Sequence, residues 1–166
     1  MRIYFSLAII ALLLVFGCDS KRVFEDNAEF KDRKWKLAQF ARFNFKITDT
    51  TTSYNLFLNV RNSVDYPYAR LFVNYELLSQ DSSSLSKKMI SCYLFDQKTG
   101  RPFGTSGIGD IFDHQFPILS NFSFKKPGQY KMNLQQFMRM DTIPGILAIG
   151  IRVETVEQTN QNSIKH

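Results

Sequence analysis

The sequence is short of the residues that usually carry metal-binding, disulfide or redox chemistry. It has only two cysteines, Cys18 and Cys92, and only two histidines, His114 and the C-terminal His166. Two histidines cannot supply a histidine-rich zinc site, and His114 is the only credible general base for covalent hydrolysis. Cys92 lies in the apolar run 89–95, which predicts a buried thiol that packs as a small hydrophobe. We therefore expect no cofactor, no metal ion and no enzymatic activity.

No apolar run is long enough to cross a bilayer as a helix. The run from Ile3 to Phe16 has 14 residues, whereas a membrane-spanning helix needs about 20. Arg2 precedes this run, and Cys18 closes it just before the polar residues 19–22. The arrangement resembles a bacterial lipoprotein signal, in which residues 1–17 are removed and acyl chains are attached to Cys18. The alternative is an ordinary signal peptide in which the cysteine has no role. The sequence thus predicts a membrane partner, reached through an acylated Cys18.

Charge of one sign does not dominate any part of the chain. The sequence has 21 basic and 15 acidic residues, and removal of residues 1–17 takes away only Arg2, which leaves 20 − 15 = +5. The basic residues form separate small clusters with acids between several of them, so we expect no nucleic-acid partner. Basic residues near the anchor are explained either by contact with anionic headgroups or by a solvated linker.

Apolar and polar side chains alternate through most of the remaining chain. Phe43 and Phe45, for example, alternate with Asn44 and Lys46, and this period of two predicts half-buried strands. Strands are predicted over residues 41–47, 54–61, 71–78, 89–95, 129–134 and 146–156, with one or two short strands over 116–124. Seven to nine short strands without a long helical pattern predict an all-β, antiparallel β-sandwich that is Ig-like or jelly-roll-like.

The mature chain is expected to divide into three parts. Residues 18–36 are polar and highly charged, so we predict a lipid-anchored tether in which Trp35 docks onto the start of the domain. Residues 37–157 form the β-sandwich, and the polar residues 158–166 form a tail that frays. Within the sandwich, the strand 89–95 is apolar on both faces and is predicted to lie in the centre of a sheet.

One turn in the sandwich has two interpretations. Gly128 precedes Tyr130 by two residues at the start of a strand. The pattern fits a tyrosine corner, in which the hydroxyl ties the loop to the strand, and equally a core tyrosine that follows a turn.

A glycine-rich stretch is the most conspicuous motif for chemistry. Gly104, Gly107 and Gly109 lie within six residues, but neither the spacing nor a following helix fits a phosphate-binding loop. The glycines are instead expected to give a loop its backbone freedom at positive φ. Asp110, Asp113 and His114 follow. A calcium site built on the two carboxylates is one interpretation, and capping of loop amides is the other.

Two tyrosines complete the candidate contact surface. Tyr66 and Tyr68 flank Pro67 in a predicted loop and are expected to be exposed beside the glycine-rich stretch. With Asp110, Asp113 and His114 they form our predicted partner-binding set.

Several segments taken together resemble the GldH family, the gliding-motility lipoproteins of Bacteroidetes. They follow the family order across nearly the whole mature chain, and none is diagnostic alone. The segments are Cys18-Asp19-Ser20, residues 54–62, residues 65–68, residues 107–115, residues 144–146 and residues 150–154. Phe16 departs from the pattern, because it is bulkier than usual next to a lipoprotein cleavage site.

The resemblance implies an envelope lipoprotein, anchored in the outer membrane, that is needed for gliding and linked to the secretion of adhesins. Its partners would be other gliding or secretion proteins of the envelope. The family has no established catalytic residues, so the resemblance assigns none here. Two other hypotheses remain from the residues themselves: a module that binds or acts on surface glycans through Tyr66 and Tyr68, and a calcium-stabilised adhesion module.

Overall fold

The computed structural model describes residues 19–156. The predicted signal peptide (residues 1–17), Cys18 and the predicted tail (residues 158–166) lie outside this range. Within residues 19–156, no helix is long and apolar enough to span a bilayer.

The described chain forms eleven strands and one short 3-10 turn. They are β1 (Arg22–Glu29), the turn η1 (Lys31–Arg33), β2 (Lys34–Lys36), β3 (Ala41–Ile47), β4 (Tyr54–Ser63), β5 (Arg70–Leu78), β6 (Ser84–Tyr93), β7 (Thr105–Ser106), β8 (Ile111–Phe122), β9 (Gly128–Gln136), β10 (Thr142–Pro144) and β11 (Ile146–Thr155). The number exceeds the predicted seven to nine, and three of the eleven strands have only two or three residues.

The strands form two large antiparallel sheets and a small ribbon. The five-stranded sheet has the order β1-β11-β4-β8-β7, the four-stranded sheet has the order β3-β9-β5-β6, and β10 pairs with β2. Alternate side chains of both sheets are buried, as in β3, where Phe43 and Phe45 are each 2% exposed. The two inner faces together form a single apolar core. The predicted all-β antiparallel sandwich is therefore confirmed.

The strand registers define two ends of the sandwich. We call the end that contains Asp19 the proximal end. It also contains the loops 48–53, 79–83 and 123–127 and the end of β11, because Arg22 pairs with Glu154 and Tyr54 pairs with both Thr155 and Phe122. The opposite, distal end contains η1, β2, β10 and the segments 64–69, 94–110 and 137–141.

The structure corrects the predicted tether. Residues 22–36 form β1, η1 and β2, so the folded domain begins at Arg22 and not at residue 37. Three contacts hold this segment: Phe24 lies 5.8 Å from Phe45 between ring centroids, Phe30 stacks on Trp35 at 5.2 Å, and Arg152 bonds to Glu25 at 2.9 Å. Residues 22–36 are too polar to fold alone, but β1 is held in the fold by pairing with β11 at the edge of the five-stranded sheet. Trp35 is fully buried, as predicted.

The predicted centre strand is also corrected. Residues 89–93 belong to β6, which forms the edge of the four-stranded sheet. Met89 is 51% exposed and Tyr93 is 46% exposed, so the apolar residues of the outer face are not covered by another layer. Cys92 points inward and is fully buried, as predicted, and burial raises the pKa of its thiol to about 12.

Candidate functional site

The predicted site residues lie at the distal end, but they do not form one surface. Asp110 and Asp113 lie beside the turn between β7 and β8 with side chains that are 45% and 46% exposed, whereas His114 is only 8% exposed. Tyr66 is 3% exposed and belongs to the core, which contradicts the expectation that it is exposed. Tyr68 is 40% exposed, but its hydroxyl contacts Sδ of Met140 in a separate groove.

Tyr66 is buried because the fold uses its hydroxyl inside the protein. The hydroxyl donates a hydrogen bond of 2.8 Å to the backbone oxygen of Arg70. Burial raises the pKa of Tyr66 well above its usual value, so the hydroxyl stays protonated. The backbone of Tyr66 also packs against Gly145, where an added Cβ would lie 2.6 Å from Cα of Tyr66. Tyr66 therefore positions the segment 64–69 and does not offer a contact surface.

His114 is also buried and packed against its neighbours in the fold. Its ring stacks on that of Phe116 at 5.8 Å, and Gly104 packs against its Nε2 so closely that an added Cβ would lie 2.6 Å away. Nε2 has no hydrogen-bond partner among the described residues. Burial lowers the pKa of His114 to about 4, although the charge of Asp113 acts in the opposite direction. The imidazole is therefore neutral at neutral pH, and its Nε2 is buried against Gly104.

Gly104, Gly107 and Gly109 have different structural roles. Only Gly109 has a positive φ, of 69°. Gly104 is needed because His114 and the backbone oxygen of Asp113 leave no room for a side chain. Gly107 donates its N–H to the backbone oxygen of Ile111 at 2.9 Å and so closes the turn that leads into β8. The expectation of positive φ throughout the stretch is therefore correct at one glycine of the three.

Both acidic candidates are paired with arginines that the sequence analysis did not identify. Arg61 donates two hydrogen bonds to Asp113, at 2.7 and 3.2 Å, and this contact raises the pKa of Arg61. Arg33 lies 3.2 Å from Asp110 and 3.7 Å from Asp65. These pairs join positions that are 52 and 77 residues apart, so no local pattern could have shown them. Because arginine occupies both carboxylates, they are poorly placed to bind calcium.

A shallow distal cleft lies between these ion pairs. It has a volume of about 450 Å³ and is lined by residues of η1, β4, β11 and the β7–β8 turn. Ile108 stands at its edge and is 91% exposed, the highest value among the exposed large apolar residues of the described chain. Asp32 and Arg33, which line the cleft from η1, both have positive φ values, of 58° and 52°. A left-handed backbone at two consecutive non-glycine residues is uncommon, and it is what places Arg33 against Asp110.

The distal cleft offers charged and apolar contacts. Within residues 19–156 there is no cluster of three or more histidine, cysteine or acidic side chains that could hold a metal ion. The distal cleft instead combines exposed ion pairs with one projecting apolar side chain, Ile108. Such a mixture is typical of the surface of a protein–protein contact.

Comparison with known proteins assigns the family. Residues 22–153 match the model of the GldH lipoprotein family, which is most of the chain. This chain belongs to the GldH lipoprotein family. It is 30% identical over 158 residues to the gliding motility lipoprotein GldH of Flavobacterium johnsoniae, covering 90% of this chain and 94% of that protein. It is 29% identical over 153 residues to the gliding motility lipoprotein GldH homolog of Christiangramia forsetii, covering 88% and 91% respectively.

The GldH match includes the segment that was predicted to be a tether, since it begins at the first residue of β1. Among solved structures, the chain is similar to the VP2 subviral particle protein of infectious bursal disease virus, with a TM-score of 0.42 and 15% identity. That similarity covers 83% of this chain and 33% of the viral chain. It carries no argument about the function of a GldH protein.

Proposed function

We propose that this GldH protein is a non-enzymatic lipoprotein of the cell envelope, anchored in the outer membrane through acylated Cys18, and that it binds another component of the gliding and adhesin-secretion machinery. The observation that carries the proposal is the family match over residues 22–153, to relatives that are named gliding motility lipoproteins. The lipoprotein-like signal that ends at Cys18 supports the anchor.

The distal cleft is the surface that we assign to the partner. Asp19 lies at the proximal end, so a protein held through Cys18 turns the opposite end away from its anchor. A strand of about nine residues spans about 30 Å, which is the distance by which the sandwich holds the distal cleft from the anchored end. Ile108 supplies an exposed apolar contact there, and Asp110 and Asp113 supply charges.

The test is capture of the partner from cross-linked envelopes. We expect Ile108→Ser and Asp110→Asn to recover several-fold less partner than the wild type, because Ile108 lines the distal cleft and Asp110 pairs with Arg33, which also lines it. Asp141→Asn is the matched control: it makes the same chemical change at an exposed residue of the distal end that neither lines the cleft nor, within residues 19–156, forms an ion pair with a residue that does. Neither cleft variant removes a core residue, so thermal unfolding should be nearly unchanged.

Full recovery of the same partners by both cleft variants would overturn the assignment of the surface. His114 variants are unsuitable for this purpose, because His114 is 8% exposed and its replacement changes stability as well as any contact. Turnover of a substrate by the purified domain would overturn the non-enzymatic part of the proposal.

A further inference from the structure

A cleft larger than the distal cleft lies at the proximal end, away from the candidate site. It has a volume of about 850 Å³ and lies between the β5–β6 hairpin and the segment from the end of β8 to the start of β9. Leu85, which is 44% exposed, stands on one side, and Phe122 and Tyr130 line the other. The volume is within the range of about 300–1,000 Å³ that small-molecule sites usually have.

Two lysines lie at the edge of this proximal cleft. Lys125 and Lys126 are both exposed, and no ion pair within residues 19–156 includes either of them. The acids of the same end are held by their own neighbours. Asp81 accepts hydrogen bonds from the Ser79 hydroxyl and the Ser83 amide, which lower its pKa to about 2, and Asp49 accepts bonds from Thr51. Asp19 is paired with Arg152. Asp81 therefore stays negatively charged in the lining of the cleft, but Lys125 and Lys126 exceed it by one positive charge and form no ion pair within residues 19–156.

The distance between the anchor position and the folded body is short. The backbone oxygen of Lys21 accepts a hydrogen bond of 2.9 Å from the amide of Thr155, so the chain is fixed to the sheet three residues after Cys18. Three residues reach at most about 11 Å when fully extended. A body acylated at Cys18 therefore cannot move its proximal end far from the headgroup region of the bilayer.

We propose that the proximal cleft is a membrane-docking site for anionic phospholipid, in which Lys125 and Lys126 bind headgroup phosphates while Leu85 and Phe122 contact the upper acyl region. The orientation in the cell rests on the proposed anchor at Cys18, but the affinity for lipid belongs to the folded domain itself. Docking at this end fixes the direction of the distal cleft, since the body then has two points of attachment and cannot rotate freely about the anchor.

The test uses the mature chain, residues 18–166, with Cys18→Ser so that no acyl chain contributes. Binding is measured by co-sedimentation with vesicles of 70% phosphatidylcholine and 30% phosphatidylglycerol, and with vesicles of phosphatidylcholine alone. We expect binding to the anionic vesicles that Lys125→Gln/Lys126→Gln weakens about 10- to 30-fold, as two headgroup contacts imply. The matched control is Lys98→Gln/Arg101→Gln, which removes the same charge from exposed residues of the distal end and should leave binding within about twofold.

A second measurement tests the orientation. A nitroxide attached at Leu85→Cys should become less accessible to a polar relaxation agent when anionic vesicles are added, whereas one at Ile108→Cys should not change. Equal loss of binding in both charge variants, or equal protection of both nitroxides, would overturn the proposal, as would absence of binding by the unaltered domain. If the domain does not bind vesicles, the proposal that the distal cleft binds a partner still stands. If Cys18 carries no acyl chains, the proposed anchor is wrong but the measured binding of the domain to vesicles is still valid.

Discussion

At the scale of single residues, the polar side chains of the distal end divide into those that support the fold and those that face solvent. Tyr66 and His114 are buried, and each is held by a close backbone contact, from Gly145 and Gly104 respectively. The side chains of Asp110 and Asp113 are half-buried and paired with arginines. The sequence places Asp110, Asp113 and His114 close together, but it does not show which of their side chains are buried. Burial is what separates their roles.

The buried imidazole of His114 makes stability depend on pH. Its pKa is about 4 in the folded protein and about 6.5 in the unfolded chain. The unfolded state therefore binds the proton more tightly, and the stability that His114 contributes is lost as the pH falls from 6.5 towards 4. We expect the free energy of unfolding to fall by about 2 kcal/mol between pH 7 and pH 5, measured by urea denaturation.

The variant His114→Leu isolates this effect. It has no titrating group at this position, so its stability should change much less between pH 7 and pH 5 than that of the wild type. An equal fall in both proteins would show that other groups cause the pH dependence.

At the scale of elements, the strands in which apolar and polar residues alternate are the ones that were predicted. The predicted strands 41–47 and 71–78 correspond to β3 and β5, where inner residues are buried and outer residues are mostly polar. The prediction missed β1, and it placed the start of β6 too late and the strand in the centre of its sheet; most residues of both strands are exposed on both faces. An edge strand gains its order from pairing with a neighbour and not from a buried face, so its own sequence carries little periodic signal.

The sequence allowed two interpretations of the turn between β8 and β9, a tyrosine corner or a core tyrosine after a turn, and the structure decides between them. The Tyr130 hydroxyl donates a hydrogen bond of 2.6 Å to the backbone oxygen of Lys126, which is the geometry of a tyrosine corner. Tyr130 is 6% exposed, and its ring packs on Phe124 at 4.5 Å and on Phe45 at 6.1 Å. The same side chain thus fixes the turn and fills the core.

Removal of the Tyr130 hydroxyl should therefore weaken the domain without emptying its core. We expect Tyr130→Phe to reduce the free energy of unfolding by about 1 kcal/mol, because the backbone carbonyl of Lys126 loses its donor. Tyr93→Phe is the matched control, because Tyr93 is 46% exposed on β6, the edge strand of the four-stranded sheet. This substitution should change the free energy of unfolding by less than about 0.5 kcal/mol. Equal effects of the two substitutions, measured by chemical denaturation, would refute the role of the corner.

At the scale of the whole molecule, the two ends of the sandwich differ in the kind of surface they present. The proximal end has a cleft of about 850 Å³, two exposed lysines and a connection of three residues to Cys18. The distal end has ion pairs and the projecting Ile108. The arrangement suits a rigid spacer between a bilayer and a partner. The composition could not reveal this polarity, because it arises from strand registers that join distant parts of the chain.

The most direct test of this account is the mass of the mature N-terminal peptide, isolated from the membranes of a cell that makes the full-length chain. The account predicts a peptide that begins at Cys18 and carries the mass of attached acyl chains, and it predicts that Cys18→Ser releases the protein from the strong membrane attachment that acylation gives. A mature chain with an unmodified Cys18, or with an N-terminus at another residue, would contradict the account.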